Sequence, residues 1–264
     1  MPFLDLAGIR LHYDIEGREG APWLILSNSL GTTMDMWQPQ LPALRERFRV
    51  LRYDTRGHGQ SGIPAQDFAV EQLGRDVLAL MDHLGIERAH FCGLSMGGMT
   101  GIWLGIHAGA RIDRLVLCNT SAHIGPPELW NARIDKVRNE GMAAIVPAVI
   151  ERWFTPAYRQ RAPEEVERVR RMLLETDPQG YVGNCAAVRD MDQRGEAATI
   201  ANPALVIAGT HDLATPAADG RWLAGQIKGA AYVELDAAHL SNWEQADMFT
   251  AALTRFLEQG DKNG

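Results

Sequence analysis

The stretch that most restricts how this chain can fold is His90-Phe91-Cys92-Gly93-Leu94-Ser95-Met96-Gly97-Gly98-Met99. An apolar run from Ala89 to Cys92 stops at a glycine. A serine then stands between Gly93 and Gly97 in the spacing G-x-S-x-G, and a small-residue helical pattern follows to about Ala108. A turn from strand through serine into helix is too tight for ordinary side chains on both flanks, so glycines stand two positions either side. Such a turn forces the serine into a strained, exposed position with its hydroxyl facing a cavity. Ser95 is therefore a candidate nucleophile. In a chain with 26 glycines the spacing alone does not settle the matter. Its partners must.

The surrounding chain alternates strand and helix. Ile9 to Ile15 alternates apolar and polar residues, as a half-buried antiparallel strand near a sheet edge does. Trp23 to Ser27 and Arg114 to Cys118 are short apolar runs, the pattern of strands buried on both faces, and Arg49 to Tyr53, Ala204 to Ala208 and Ala231 to Leu235 are further expected strands. Val70 to Leu84 carries apolar residues at helical spacing and ends at Gly85, a suitable left-handed cap. A closing helix is expected from about Trp243 to Glu258, followed by a frayed tail, Gln259 to Gly264. This alternation predicts an α/β fold: a mostly parallel sheet with helices on both faces and reactive groups beyond the carboxyl ends of the strands.

From Ser121 to about Thr199 the texture changes. This stretch is helical, rich in Arg and Glu, and lacks a buried-strand run; helices are expected at Leu129 to Asn139 and Pro163 to Glu175. About eighty residues are too many for a connection. The expected organisation is core over residues 1–120, a helical cap over 121–200, and core again over 201–264.

Composition excludes several function classes. A net charge of −7 argues against nucleic acid, which requires a neutralising basic face. It also means that an anionic substrate must be met by local cations. No apolar window approaches the roughly eighteen residues of a membrane span, and Met1-Pro2-Phe3-Leu4-Asp5 carries no basic leader, so a cytoplasmic location is expected. Cys92, Cys118 and Cys185 are an odd number without C-x-x-C spacing, which speaks against a disulfide framework and a zinc site. No metal or cofactor is expected, and the oligomeric state stays open.

A serine nucleophile needs a base, and the base needs an orienting carboxylate. Asp212 follows the strand ending at Ala208, and His239 follows the strand ending at Leu235. Both fall at the same sheet edge as Ser95, in the order serine, acid, histidine. Asp236 competes with Asp212 as orienter, being three residues before His239. His58 sits in a glycine-flanked turn and His211 adjoins Asp212, so neither is the expected base. For the oxyanion, the backbone N–H of Met96 at the helix start is one expected donor. Ser29 is the expected second donor, with Leu30 next in line and facing the substrate.

Several of these segments together resemble a known family. They are Ser27-Asn28-Ser29-Leu30-Gly31-Thr32 with Met36-Trp37, the run Tyr53-Asp54-Thr55-Arg56-Gly57-His58-Gly59, Gly93 to Gly98, Cys118-Asn119-Thr120, and Gly209 to Asp212. In these segments the chain is similar to the 3-oxoadipate enol-lactonases, α/β-hydrolases of aromatic-compound catabolism, across the core. The Ser27-Asn28 pair stands where a His-Gly is usual. The resemblance implies the α/β-hydrolase fold, a triad of Ser95, Asp212 and His239, and a small lactone substrate bearing a carboxylate. The cap supplies Arg133, Lys136, Arg138 and Arg152 as cations for that carboxylate; guanidinium suits bidentate binding best, and Arg133 is favoured. Trp130 and Trp153 are expected as apolar walls, and Trp37 either lines the pocket or packs in the core. Two rival readings share this core: another esterase, lactonase or cofactor-free perhydrolase, and a non-catalytic receptor.

Overall fold

A computed structural model describes residues 2–6 and 8–259; part of the expected frayed tail, residues 260–264, lies outside the described residues. Eight strands form one sheet: β1 (Phe3–Leu6), β2 (Ile9–Gly17), β3 (Trp23–Ser27), β4 (Arg49–Tyr53), β5 (Ala89–Leu94), β6 (Ile112–Cys118), β7 (Ala204–Gly209) and β8 (Ala231–Leu235). Their spatial order is β1-β2-β4-β3-β5-β6-β7-β8. The β1–β2 and β2–β4 pairs are antiparallel, and every later pair is parallel.

The continuous apolar runs explain the centre of this sheet. Along β5, Phe91 faces one buried cluster, while Cys92 and Leu94 face the other. The neighbouring strands repeat the two-residue alternation: Ile25 opposes Leu24 and Leu26, and Leu117 opposes Val116 and Cys118. Each such leucine or isoleucine contributes about 1.5–3 kcal/mol by leaving water. The first face is covered by α2 (Val70–His83), α3 (Met96–His107) and α9 (Ala217–Gln226). The second is covered by α1 (Leu41–Leu44) and the closing pair α10 (Ser241–Glu244) and α11 (Ala246–Leu257).

Between β6 and β7 the chain forms α4 (Pro127–Glu140), α5 (Val146–Trp153), α6 (Pro156–Arg161), α7 (Pro163–Glu175) and α8 (Pro178–Arg189). Their buried residues, among them Val149, Trp153, Leu173 and Tyr181, join the same cluster as Leu30, Met96 and Met99 of the sheet edge. One contact there is backbone on backbone. A Cβ on Gly57 would lie 2.7 Å from the Gly180 Cα, and one on Gly180 would lie 2.0 Å from the Gly57 carbonyl oxygen.

The structure departs from the sequence expectation at several places, four of them in the core. β5 continues two residues past Cys92, because Gly93 and Leu94 still pair with Leu117 and Cys118. β1 escaped notice because four residues are too few to show a period, and it is recognisable only through its pairing with β2. α9 was hidden by helix-weakening glycines; Gly220 is there because a Cβ would sit 3.1 Å from Ala208. The closing helix is broken at Gln245, where φ is −126°. The break lets Asn242 and Trp243 both donate to the Met36 carbonyl, at 2.9 and 2.8 Å.

Candidate active site

The parallel register brings Ser27 beside Gly93, Leu94 beside Cys118, and Gly209 beside Leu235. The loops after β3, β5, β6, β7 and β8 therefore open on one edge. Ser95 occupies the turn after β5 with φ 57° and ψ −116°, a conformation unfavourable for a side-chain-bearing residue. Its neighbours hold it there: its N–H donates to the Cys118 carbonyl at 2.9 Å, and Thr120 Oγ1 donates to its carbonyl at 2.7 Å. The flanking glycines are a steric requirement. A Cβ on Gly93 would lie 2.1 Å from the Gly97 carbonyl oxygen, and one on Gly97 would lie 2.2 Å from that of Ser27.

His239 lines the same cavity as Ser95, and both it and its partner Asp212 are buried. His239 Nδ1 donates to Asp212 Oδ2 at 2.8 Å. The carboxylate also accepts from the N–H groups of Ala214 and Thr215 at 2.8 and 3.0 Å, from Thr215 Oγ1 at 2.8 Å, and from Asn119 Nδ2 at 3.0 Å. Burial alone would raise the Asp212 carboxyl. The charge and hydrogen bond of His239, with the Thr215 and Asn119 donors, outweigh it and hold the pKa below the ordinary carboxylate value. Asp236 instead pairs with His211 at 2.8 Å on the surface. His58 is buried with its Nε2 accepting the Gly31 N–H at 2.8 Å, and burial pushes its pKa down to about 4. It is a neutral strut under the loop after β3.

Met96 is the first residue of α3, so its N–H has no partner within the helix and points from the positive end of the helix dipole. The next N–H, of Gly97, is already used by the Asn28 carbonyl at 2.9 Å. The Ser29 N–H is directed to Met36 Sδ at 3.1 Å. A thioether is a weak acceptor and yields an N–H to an oxyanion at little cost.

A cavity of about 190 Å³ lies over Ser95, His239, Ser29, Leu30 and Met96. The helical segment supplies its opposite wall, with Trp130, Arg133, Val149, Arg152, Trp153 and Tyr181. The Trp153 ring lies 5.8 Å from that of His239. Arg133 sits 4.8 Å over the Trp130 ring, and the nearby Arg152 guanidinium has its pKa lowered by burial and by the Arg133 charge. Among the described residues neither arginine has a carboxylate partner. Two guanidinium groups on one cavity wall, Arg133 half-buried and Arg152 more exposed, have the chemistry to bind an anion. Lys136 is paired with Glu140 on the surface, and Arg138 borders a different hollow, near Phe68. Trp37 is fully buried, donates to Asn28 Oδ1 at 3.0 Å, packs against Phe249, and does not line this cavity.

Sequence reasoning missed the roles of Asn119, Thr215 and Tyr181, and did not single out Leu129 and Leu213, exposed apolar residues bordering the cavity. The positive φ of Asn119, 43°, belongs to a residue type that tolerates it, but no sequence spacing announces it. Among the described residues no cluster of three or more His, Cys, Asp or Glu is arranged to hold a metal. No described helix is long and apolar enough to cross a membrane.

Comparison with known proteins adds three findings. Residues 22–246 match the family described as alpha/beta hydrolase fold. The 3-oxoadipate enol-lactonase 2 of Acinetobacter baylyi is 41% identical over 251 residues, 95% of this chain and 94% of that protein. The crystal structure of the enol-lactonase from Burkholderia xenovorans LB400 superposes with a TM-score of 0.96 at 53% identity, covering 98% of this chain and all of that one.

Proposed function

This chain belongs to the α/β-hydrolase family and, within it, to the 3-oxoadipate enol-lactonases, and on that premise we propose how its own residues hydrolyse 3-oxoadipate enol-lactone to 3-oxoadipate. The observation that carries the proposal is the buried His239–Asp212 pair, whose histidine lines one cavity together with Ser95, Arg133 and Arg152.

His239 takes the Ser95 proton through Nε2, the nitrogen not engaged by Asp212, and Ser95 Oγ adds to the lactone carbonyl. The oxyanion is met by the Met96 N–H and by an N–H of Ser29 or Leu30. Collapse breaks the ring C–O bond, and the departing enol oxygen takes the proton from His239. That enol stays tethered to the acyl-enzyme and would re-close the ring. Its tautomerisation to a ketone removes the nucleophile and drives the reaction forward. Water, deprotonated by His239, then releases the second carboxylate from Ser95. The substrate's own carboxylate is held by Arg133, with Arg152 beside it. Trp130, Trp153 and Leu30 form the apolar walls. Residues 121–200 serve as the cap that keeps bulk water from the acyl-enzyme. The reaction is placed in the cytoplasm, where catabolism of aromatic compounds supplies the lactone.

The test is the loss of ultraviolet absorbance of freshly generated enol-lactone. The protein should consume it with a pre-steady-state burst or a trappable acyl-Ser95. Full activity in Ser95→Ala would overturn the covalent route.

A further inference from the structure

One buried carboxylate is not used by this chemistry. Glu244, at the end of α10, is 5% exposed and has no ion-pair partner among the described residues. Leaving a charge that deep without a cation is unfavourable unless its lone pairs are filled. They are filled from two segments, the nearby loop that carries His239 and the remote start of α6. Glu244 Oε2 accepts the N–H of Ala238, the residue before His239, at 3.0 Å, and the N–H of Thr155 at 3.3 Å. Its Oε1 accepts the Thr155 hydroxyl.

The rest of that seam runs the same way. The Leu240 N–H donates to the Trp153 carbonyl at 3.1 Å, and Tyr158 Oη donates to the Trp243 carbonyl at 3.2 Å. Arg161 donates to the Glu244 carbonyl at 3.0 Å. The loop carrying His239 is thus stitched to residues 153–161 of the helical segment, and Glu244 is the side chain that holds both sides at once.

We propose that Glu244 is a positioning residue: its carboxylate ties Ala238 to Thr155, so that the placement of the helical segment sets the orientation of the His239 imidazole. The proposal rests on the reading of His239 as the base. A general base is sensitive to small displacements; about 1 Å of misplacement can lower a rate roughly a hundredfold. Gln at this position can keep both backbone N–H bonds through its carbonyl oxygen, while the Thr155 hydroxyl rotates to accept from its amide. Ala keeps none of them.

Measured on p-nitrophenyl acetate, Glu244→Ala should lower kcat roughly ten- to a hundredfold with KM within about twofold. Glu244→Gln should restore most of the rate. Thr155→Val, which keeps the Ala238 bond, should fall between them and guards against a misfolded Ala variant. The low-field proton resonance of the His239–Asp212 hydrogen bond should shift or broaden in Glu244→Ala and return in Glu244→Gln. Equal losses in the Ala and Gln variants would overturn the proposal, and so would an unshifted resonance in Glu244→Ala. Asp212→Asn identifies that resonance by removing it. Its persistence there would instead overturn the assignment of His239, on which the proposal stands.

Discussion

Among the described residues are two buried histidine–aspartate pairs of almost the same geometry. His239 meets Asp212 at 2.8 Å and His12 meets Asp54 at 2.7 Å, both through Nδ1 and with side chains at most 3% exposed. Their surroundings separate them. The far side of His239 borders a cavity that also holds Ser95 on its strained turn. The Nε2 of His12 is buried without a partner, and its ring packs 5.0 Å from Phe3. Asp54 spends its remaining capacity on the chain itself, accepting the N–H groups of Met34 at 2.9 Å and Gln60 at 3.0 Å. An acid–histidine pair is therefore no signature of catalysis. The same bond fixes an imidazole beside a cavity at one sheet edge and pins the loop after β3 at another place.

The largest expected separation is between these two pairs. Asp212→Asn should lower kcat by about 10⁴-fold in a folded protein, because the histidine loses the partner that fixes its tautomer. His12→Leu should keep kcat within a few-fold while lowering stability by about 3–5 kcal/mol, since it leaves Asp54 buried without its partner. Stopped assays and urea titrations of the two variants measure both effects. Equal kinetic losses would break the comparison.

A smaller effect separates the cavity wall from the scaffold. Arg133→Ala should reduce kcat/KM for the anionic lactone by roughly 2–5 kcal/mol in transition-state terms, with much less change for neutral p-nitrophenyl acetate. An unchanged lactone kcat/KM would remove Arg133 from the site. The smallest effect at neutral pH belongs to the scaffold at His58. Its pKa is about 4 when folded and about 6.5 when unfolded, so the unfolded chain takes up the proton first as pH falls. Its contribution should be complete above about pH 6.5 and decline by about 3 kcal/mol by pH 4. His58→Asn should flatten that part of the urea-midpoint profile.

Legibility from sequence followed the range of the interaction involved. Ser95 was legible because its constraint is local: two glycines at fixed offsets, each required by a backbone oxygen nearby. Asp212 and His239 were legible because each follows a recognisable strand, and parallel register places strand ends together. The cations were less so. Arg133, Lys136 and Arg138 lie on one helix, and only the rotation of α4 against α8 decides that Arg133 reaches the cavity while Arg138 borders another hollow. Arg152 joins it from α5, a helix the sequence reading did not single out. Trp37 was undecidable because its place in the core depends on Asn28, which accepts its indole N–H. Glu244 shows the limit most plainly. Its partner Thr155 is 89 residues away, and no spacing in the chain connects them.

The Gly57–Gly180 contact carries a consequence for how such enzymes can be recombined. The turn after β4 and the first turn of α8 interlock without side chains, so neither position accepts a larger residue unless the other withdraws. A graft that brings in the helices of another hydrolase while keeping this β4 turn will seat only if the donor also supplies a residue without a side chain at position 180. New specificities are then more easily reached by altering residues on α4 and α5, which face the cavity, than by exchanging the helices wholesale.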